Sequence, residues 1–457
     1  MFKIFILILC INNSWASSNL KKNDYNVIFI ALDALQARHV HSLGYEKNTT
    51  PFIDKLSKKG VLFSNAISPA SWTVPTYLSI FSSTFPSEHG MKNRYVKFDK
   101  NEKILSNFPK SNPSLKTIAQ ILKLKGYSTA GFTGDSGLAA ALGYNSGFDE
   151  YTDETPFGGI ENSYARSKKW LDSLKKEDHF FLFLHGYDCH GQFKVEKNYK
   201  GNFYSSDNAI IEGTPETQGK IREQGLANQQ LTFSTKDVNF WRAWYDSKIF
   251  DADSHLEKIY SDLDKRGLLK NTIVFIFSDH GTEFLEHGKF DHGHTLYDEL
   301  LNVPLLMIPP WKTNGTIVNN QVSTIDLLPT VIDLLKITPD ENLKHQIKGV
   351  SLLPLLTKTK TKFPDRDIFS ETDLRNYTHK RSIRTADGWK YIMTLETGSD
   401  ELYDLKKDPR EQHNLAGIDL KKVLEVREKL LIHLSSMKTD FKALGTECLP
   451  VYKGQCE

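Results

Sequence analysis

Residues 26–35 read NVIFIALDAL, an unbroken apolar, β-favouring run that stops on a carboxylate, Asp33. An apolar run without alternation is what a strand buried on both faces requires, and a parallel sheet between two helical layers buries both faces. The pattern returns in HFFLFLHGYDCH (179–190) and in NTIVFIFSDHG (271–281). Between these runs lie TPFIDKLSKKG (50–60), LKTIAQILKLKG (115–126) and WYDSKIFDADSHLEKIYSDLDKRG (244–267), each helix-like and closed by a glycine. Strands alternating with such helices predict an α/β fold, a mostly parallel sheet in an α/β/α sandwich.

Ligands of such folds bind at the carboxyl ends of the strands. That rule gathers Asp33, His185, Asp188, His190, Asp279 and His280 along one rim. Carboxylates with an imidazole suit a divalent cation, and the donor types are compatible with zinc, manganese or calcium. Asp33, Asp279 and His280 are therefore the expected ligands of one divalent metal ion. Downstream, SDHGTEFLEHGKFDHGHTLYDELLNVPLL (278–306) adds His287, His292 and His294. In SWTVPTYL (71–78), Pro75 suits the first turn of a helix, which puts Thr73 at the positive end of that helix. Its hydroxyl is either an N-cap or, once activated by a metal or base, a nucleophile.

The remaining features set the boundaries. The first residues, MFKIFILILCINNSWASS, read as a secretory signal ending at Ala16, so residues 1–16 are expected to be removed and the protein to be secreted or periplasmic. With 58 Lys and Arg against 56 Asp and Glu, the formal charge of +2 gives no reason to expect nucleic acid as a partner. No membrane span is expected in the mature chain, since no later run reaches about 18 apolar residues. Of four cysteines, Cys10 leaves with the signal, Cys448 and Cys456 can bridge within the tail 441–457, and Cys189 is expected to be a partly buried thiol. The insert from Lys197 to Asn239 reads as a long loop or lid. The catalytic unit is expected over 24–359. Over 360–440, RSIRTADGWKYIMTLETGSDELYDLKKDPREQHNLA (381–416) predicts a small C-terminal α+β subdomain.

These motifs in this order, with STIDLLPTVIDLL (323–335) and GVSLLPLL (349–356), resemble the sulfatase branch of the alkaline phosphatase superfamily from Asn26 to about Leu415. The resemblance implies Asp33, Asp279 and His280 as metal ligands and Thr73 at the nucleophile position. It implies His190 and His294 as histidines that contact the anion or protonate the leaving group, and His185 and His287 as further substrate-side residues. The implied activity is hydrolysis of a sulfate, phosphate or phosphonate ester, with a small anionic ester or a sulfated or phosphorylated glycan or lipid headgroup as partner. A phosphoryl-headgroup transferase and a catalytically silent anion-binding homologue are the alternatives. Three departures bear on the chemistry. Formylglycine sulfatases start from Cys or Ser in a Cys/Ser-x-Pro-x-Arg setting, whereas this chain reads Thr73-Val74-Pro75-Thr76-Tyr77. The usual Asp-Asp pair is Asp33-Ala34, and GFTGDSG (131–137) stands where many arylsulfatases carry Gly-Lys-x-His.

Overall fold

The computed structural model describes residues 25–437 apart from 99–101, 135, 154–157, 192–202, 204–214, 227–230, 232, 358–362 and 375–377. The expected signal, the Cys448–Cys456 tail and much of the 197–239 insert lie outside the described residues.

The three apolar runs are neighbours at the centre of one sheet. Its strands follow the order Thr316–Val318, Val61–Ile67, Asn302–Ile308, Thr272–Phe277, Asn26–Leu32, Phe180–Gly186, Ser128–Phe132, Glu150–Thr152, and Val322–Ser323 joins Val61–Ile67 as a ninth strand. Every pairing is parallel except those of Asn302–Ile308, which runs antiparallel to both its neighbours. Alternate side chains feed two cores, as strand geometry demands. Val27, Phe29 and Ala31 pack on one face with the helices Thr73–Ser82, Ile118–Leu124 and Leu327–Leu334. Ile28, Ile30 and Leu32 pack on the other with Ile160–Ser173 and Thr235–Lys265. Phe29 anchors the first core, edge-on to Phe181, Phe275 and Phe277 with ring centroids 5.0–5.5 Å apart. Register then aligns the strand ends: Ala31 pairs with both His185 and Phe277, so Asp33, His185 and Asp279 leave the sheet side by side.

The long helix on the second face begins earlier than the sequence reading placed it. It runs Thr235–Lys265, opened by a capping box in which Ser234 Oγ accepts from the Asp237 N–H and Asp237 Oδ2 accepts from the Ser234 N–H. A further helix, Pro215–Leu226, lies inside the insert expected to be a loop.

A four-stranded antiparallel sheet follows, in the order Ile368–Thr372, Lys380–Arg384, Trp389–Thr394, Ser399–Asp404, covered by helix Leu420–Ser436. Its first strand grips the main domain at two places. Glu371 N–H donates to the Pro69 carbonyl (2.9 Å), Ser370 Oγ to the Ser68 carbonyl (2.6 Å) and Thr372 Oγ1 to the Gly293 carbonyl (2.6 Å). Segment 68–70 leads into Thr73, and Gly293 separates His292 from His294. Charges reinforce the contact: buried Lys390 reaches Asp298 (2.8 Å) and Glu411 (2.9 Å). Burial alone would raise the Asp298 carboxyl, yet Arg384 and Lys390 hold it well below the usual carboxylate range.

Candidate active site

Thr73 is the first residue of a ten-residue helix whose side chains are all buried. The N-cap position belongs to Trp72, and no side chain caps this helix. Thr76 makes the local hydroxyl bonds instead, donating to the Trp72 (2.8 Å) or Ala70 (3.1 Å) carbonyl. The capping role open to Thr73 is thus not the one it plays. Its Oγ1 faces across the sheet ends and lies 3.3 Å from His280 Nε2.

The groups around it are tied to one another. Ala34 takes a left-handed φ of 60°, a conformation that costs a non-glycine residue about 1 kcal/mol or more. The turn is held by Ala34 N–H donating to Asp279 Oδ1 (3.3 Å), Leu35 N–H to Ser278 Oγ (2.9 Å) and Tyr245 Oη to the Ala34 carbonyl (2.6 Å). Strand end 33–35 and strand end 278–280 are therefore tied to each other by direct hydrogen bonds. Gly281 is required here by close approach, because a Cβ would sit 2.0 Å from the Glu299 carbonyl oxygen.

His280 Nδ1 donates to the Gly281 carbonyl (2.7 Å), which puts the proton on Nδ1 and leaves the Nε2 lone pair pointing inward. Nε2 lies 3.4 Å from Asp33 Oδ1 and 3.4 Å from Asp279 Oδ2. Asp279 Oδ2 accepts no hydrogen bond, and Asp33, Asp279 and His280 are fully buried. Two carboxylates and an imidazole lone pair, one ligand atom from each within 4.8 Å of the others, form a buried convergence of acceptors. Such a set is costly unless a cation sits among the groups, and the donor chemistry fits a divalent ion.

The other expected site residues fall in distinct places. His185 is fully buried behind Asp33, its Nε2 3.2 Å from Asp33 Oδ2 and its ring edge-on to Tyr77. Asp188 turns away to accept from the Ile160 N–H (2.7 Å) at the start of helix Ile160–Ser173, and burial raises its pKa. Cys189 is wholly buried rather than partly so, and burial pushes its thiol well up. His190 stacks on Tyr187 (centroids 4.0 Å), with Nε2 2.9 Å from the Tyr187 hydroxyl and Nδ1 bonded to the Gly191 carbonyl. His292 bridges the rings, 4.6 Å from His190 and 4.4 Å from His280. His294 Nε2 lies 3.6 Å from Glu283 Oε2, whose carboxyl is pushed well up by burial and by Glu299.

His287 differs from its expected setting. Its Nδ1 pairs with Glu299, its Nε2 donates to the Glu411 carbonyl (2.8 Å), and its ring stacks on Tyr297 at 3.5 Å. Both nitrogens donate, which only the imidazolium can do. Burial pulls its pKa down, but Glu299 and the Glu411 carbonyl raise it to about 9 from the usual 6.5. A raised folded pKa gives stability that is complete below pH 6.5 and fades as pH climbs through about 9. Melting temperatures of the wild type should therefore fall between pH 7 and 10 more steeply than those of His287→Gln.

Sequence reasoning passed over Asp291, Glu283 and Tyr187. Asp291 sits on a two-residue strand, Phe290–Asp291, paired with Glu283–Phe284, too short for any periodicity to show. The triplet Asp-His-Gly at 291–293, repeating that at 279–281, was the available signal.

The model of the sulfatase family matches residues 25–337, well over half of the chain. The chain belongs to the sulfatase family. A second model, the C-terminal part of N-sulphoglucosamine sulphohydrolase, matches residues 285–440. The chain is 26% identical over 463 residues to a delta 4,5-hexuronate-2-O-sulfatase of Bacteroides thetaiotaomicron, covering 93% of this chain and 92% of that one. It is 24% identical over 458 residues to arylsulfatase K of Xenopus laevis, covering 89% and 81%. Among solved structures, the phosphonate monoester hydrolase of Agrobacterium radiobacter shares the fold with a TM-score of 0.70 at 19% identity, covering 90% of this chain and 96% of that one. Sulfatase-family enzymes are metal-dependent hydrolases, and the α/β/α body with its C-terminal antiparallel sheet is their architecture. Among the described residues no helix is long and apolar enough to cross a membrane.

Proposed function

We propose that this sulfatase-family chain is a secreted or periplasmic hydrolase of an anionic ester that uses the Thr73 hydroxyl, and not a formylglycine, as its nucleophile. The observation that carries the reading is the placement of Thr73 Oγ1, 3.3 Å from His280 Nε2 at the mouth of a buried acceptor cluster and free of any capping bond. Asp33, Asp279 and His280 would hold one divalent cation, which supplies charge neutralisation at the ester and lowers the pKa of a neighbouring hydroxyl. The helix starting at Thr73 turns its positive end toward the same point, favouring a tetrahedral anion there. His185 orients Asp33 and His287 braces the C-terminal contact, so neither is assigned to substrate.

Phosphoryl and phosphonyl esters come first among substrates. Thr73 oxygen, its proton released to water, attacks phosphorus, the P–O bond to the alcohol breaks, and an imidazolium at His190 or His294 protonates the departing oxygen. Water, giving a proton to that histidine, then attacks the phosphorus, the P–O bond to Thr73 breaks, and phosphate or phosphonate leaves as the threonine oxygen regains a proton from solvent. A sulfate ester is the second reading, favoured by the relatives named as sulfatases. Threonine lacks the hydrate that lets formylglycine expel sulfate, so the sulfated enzyme would turn over slowly. Assays on matched nitrophenyl phosphate, phosphonate and sulfate should show the phosphorus esters cleaved faster by at least about tenfold, and a preference for sulfate would overturn the order.

A further inference from the structure

A cavity of about 1140 Å³ opens beside the turns that follow Asp33 and His280, and Gln36, whose side chain donates to the Thr282 carbonyl, is part of its lining. Its walls come from segment 36–47, the first turns of helix Thr235–Lys265 and the loop at 409–412 of the C-terminal subdomain, with Glu286 of the histidine-rich segment between them. Asp33, Thr73, Asp279 and His280 do not line it, so it is a separate cavity next to the strand-end cluster. We infer that this cavity is a binding groove for an acidic polysaccharide chain, one that carries further anionic groups besides the ester to be cleaved. The inference deepens the function proposed above by naming the carrier of the ester, and rests on it only for the cleavage.

Charge is the first support. Arg38, Lys47, Lys236, Arg242 and Arg410 line the groove against two carboxylates, Glu46 and Glu286. Arg242 pairs with Glu286 (2.7 Å), Lys47 with buried Asp246 (2.9 Å) and Arg38 with Glu299 (3.4 Å). Lys236 and Arg410 are exposed and have no carboxylate partner among the described residues. Lys236 also stands in the first turn of a 31-residue helix, where the helix dipole disfavours a cation and favours an anion brought alongside it. Size is the second support, because the groove exceeds the roughly 300–1,000 Å³ of pockets that enclose a compact ligand, which suits a chain of linked rings. The rest of the lining selects among polyanions. The amides of Gln36, Asn239 and Gln412 can bond hydroxyl groups, and the rings of Tyr45 and Phe240 offer apolar faces for sugar rings. Two aromatic rings, one tied through its hydroxyl to Asp246 (2.8 Å), fall short of the successive stacking faces that single-stranded nucleic acid uses. None of the large apolar side chains exposed among the described residues lines the groove, so it lacks the apolar face that docks on a bilayer.

The test is binding of a fluorescently labelled dextran sulfate oligosaccharide to the full chain, read by anisotropy, with neutral dextran of the same length as control. Wild type should bind the sulfated chain and not the neutral one. Combining Lys236→Glu with Arg410→Glu should weaken binding by at least about tenfold and flatten its fall between about 50 and 200 mM salt. Each single variant should lose an intermediate amount, and melting temperatures should stay within about 1 °C of wild type, since both side chains are exposed. Thr73→Ala should bind as wild type does, so the groove is read whether or not Thr73 is the nucleophile. No binding by wild type, wild-type affinity in the double variant, or equal binding of neutral dextran would overturn the groove. Tighter binding of single-stranded DNA of equal charge, or of anionic phosphatidylserine vesicles, would overturn the assignment to a polysaccharide.

Discussion

Thr73→Ala should lower turnover on the best ester by at least about 10³-fold, or roughly 4 kcal/mol of transition-state stabilisation, while shifting unfolding free energy by less than about 1 kcal/mol. The disparity separates the two roles that sequence left open. Loss of an N-cap costs about 1 kcal/mol of stability and no chemistry, whereas loss of a nucleophile does the reverse. Paired kinetics and urea denaturation measure both. A variant that keeps its rate but loses stability would return the hydroxyl to a structural role.

Asp279→Asn should change sign with the state of the metal site. In the reloaded protein it should remove one bound ion and cut the rate by at least about 10²-fold, because the cluster loses one of its two carboxylates. In the stripped protein it should raise the melting temperature by about 1 °C. Carboxylate oxygens of Asp33 and Asp279 lie within 4.8 Å of each other, and at an effective dielectric near 20 two such charges repel by about 3 kcal/mol. Removing one charge relieves part of that repulsion, and about 1 kcal/mol corresponds to a shift of this size in a chain this long. Melting curves of stripped and reloaded wild type and variant make the comparison. A stripped variant less stable than stripped wild type would mean that the Asp279 side chain supports the fold by its bond to Ala34, not by waiting for a cation.

What could be read from sequence follows the length of each signal. Strands Asn26–Leu32, Phe180–Gly186 and Thr272–Phe277 are long and largely apolar, so their burial and mutual adjacency were legible, and with them the meeting of Asp33, Asp279 and His280. Asn302–Ile308 is equally apolar, and apolarity alone cannot report that it runs antiparallel. The Thr235 start of the long helix was written in Ser234 and Asp237 but masked by the polar insert before it. His287 and His292 look alike in sequence; only the tertiary partners Glu299 and Glu411, the latter 124 residues away, make one a brace. Cys189 was misjudged because exposure depends on the helix Thr235–Lys265 packed over it.

The grip of strand Ile368–Thr372 on the Pro69 and Gly293 carbonyls has a temporal consequence. During synthesis the segment leading to Thr73 and the loop carrying Gly293 emerge from the ribosome well before the strand that fastens them. A nascent chain ending before residue 368 would carry every reactive group of the proposed chemistry yet leave the two loops unfastened. The proposed site is in this sense fastened only when about the last fifth of the chain has begun to emerge.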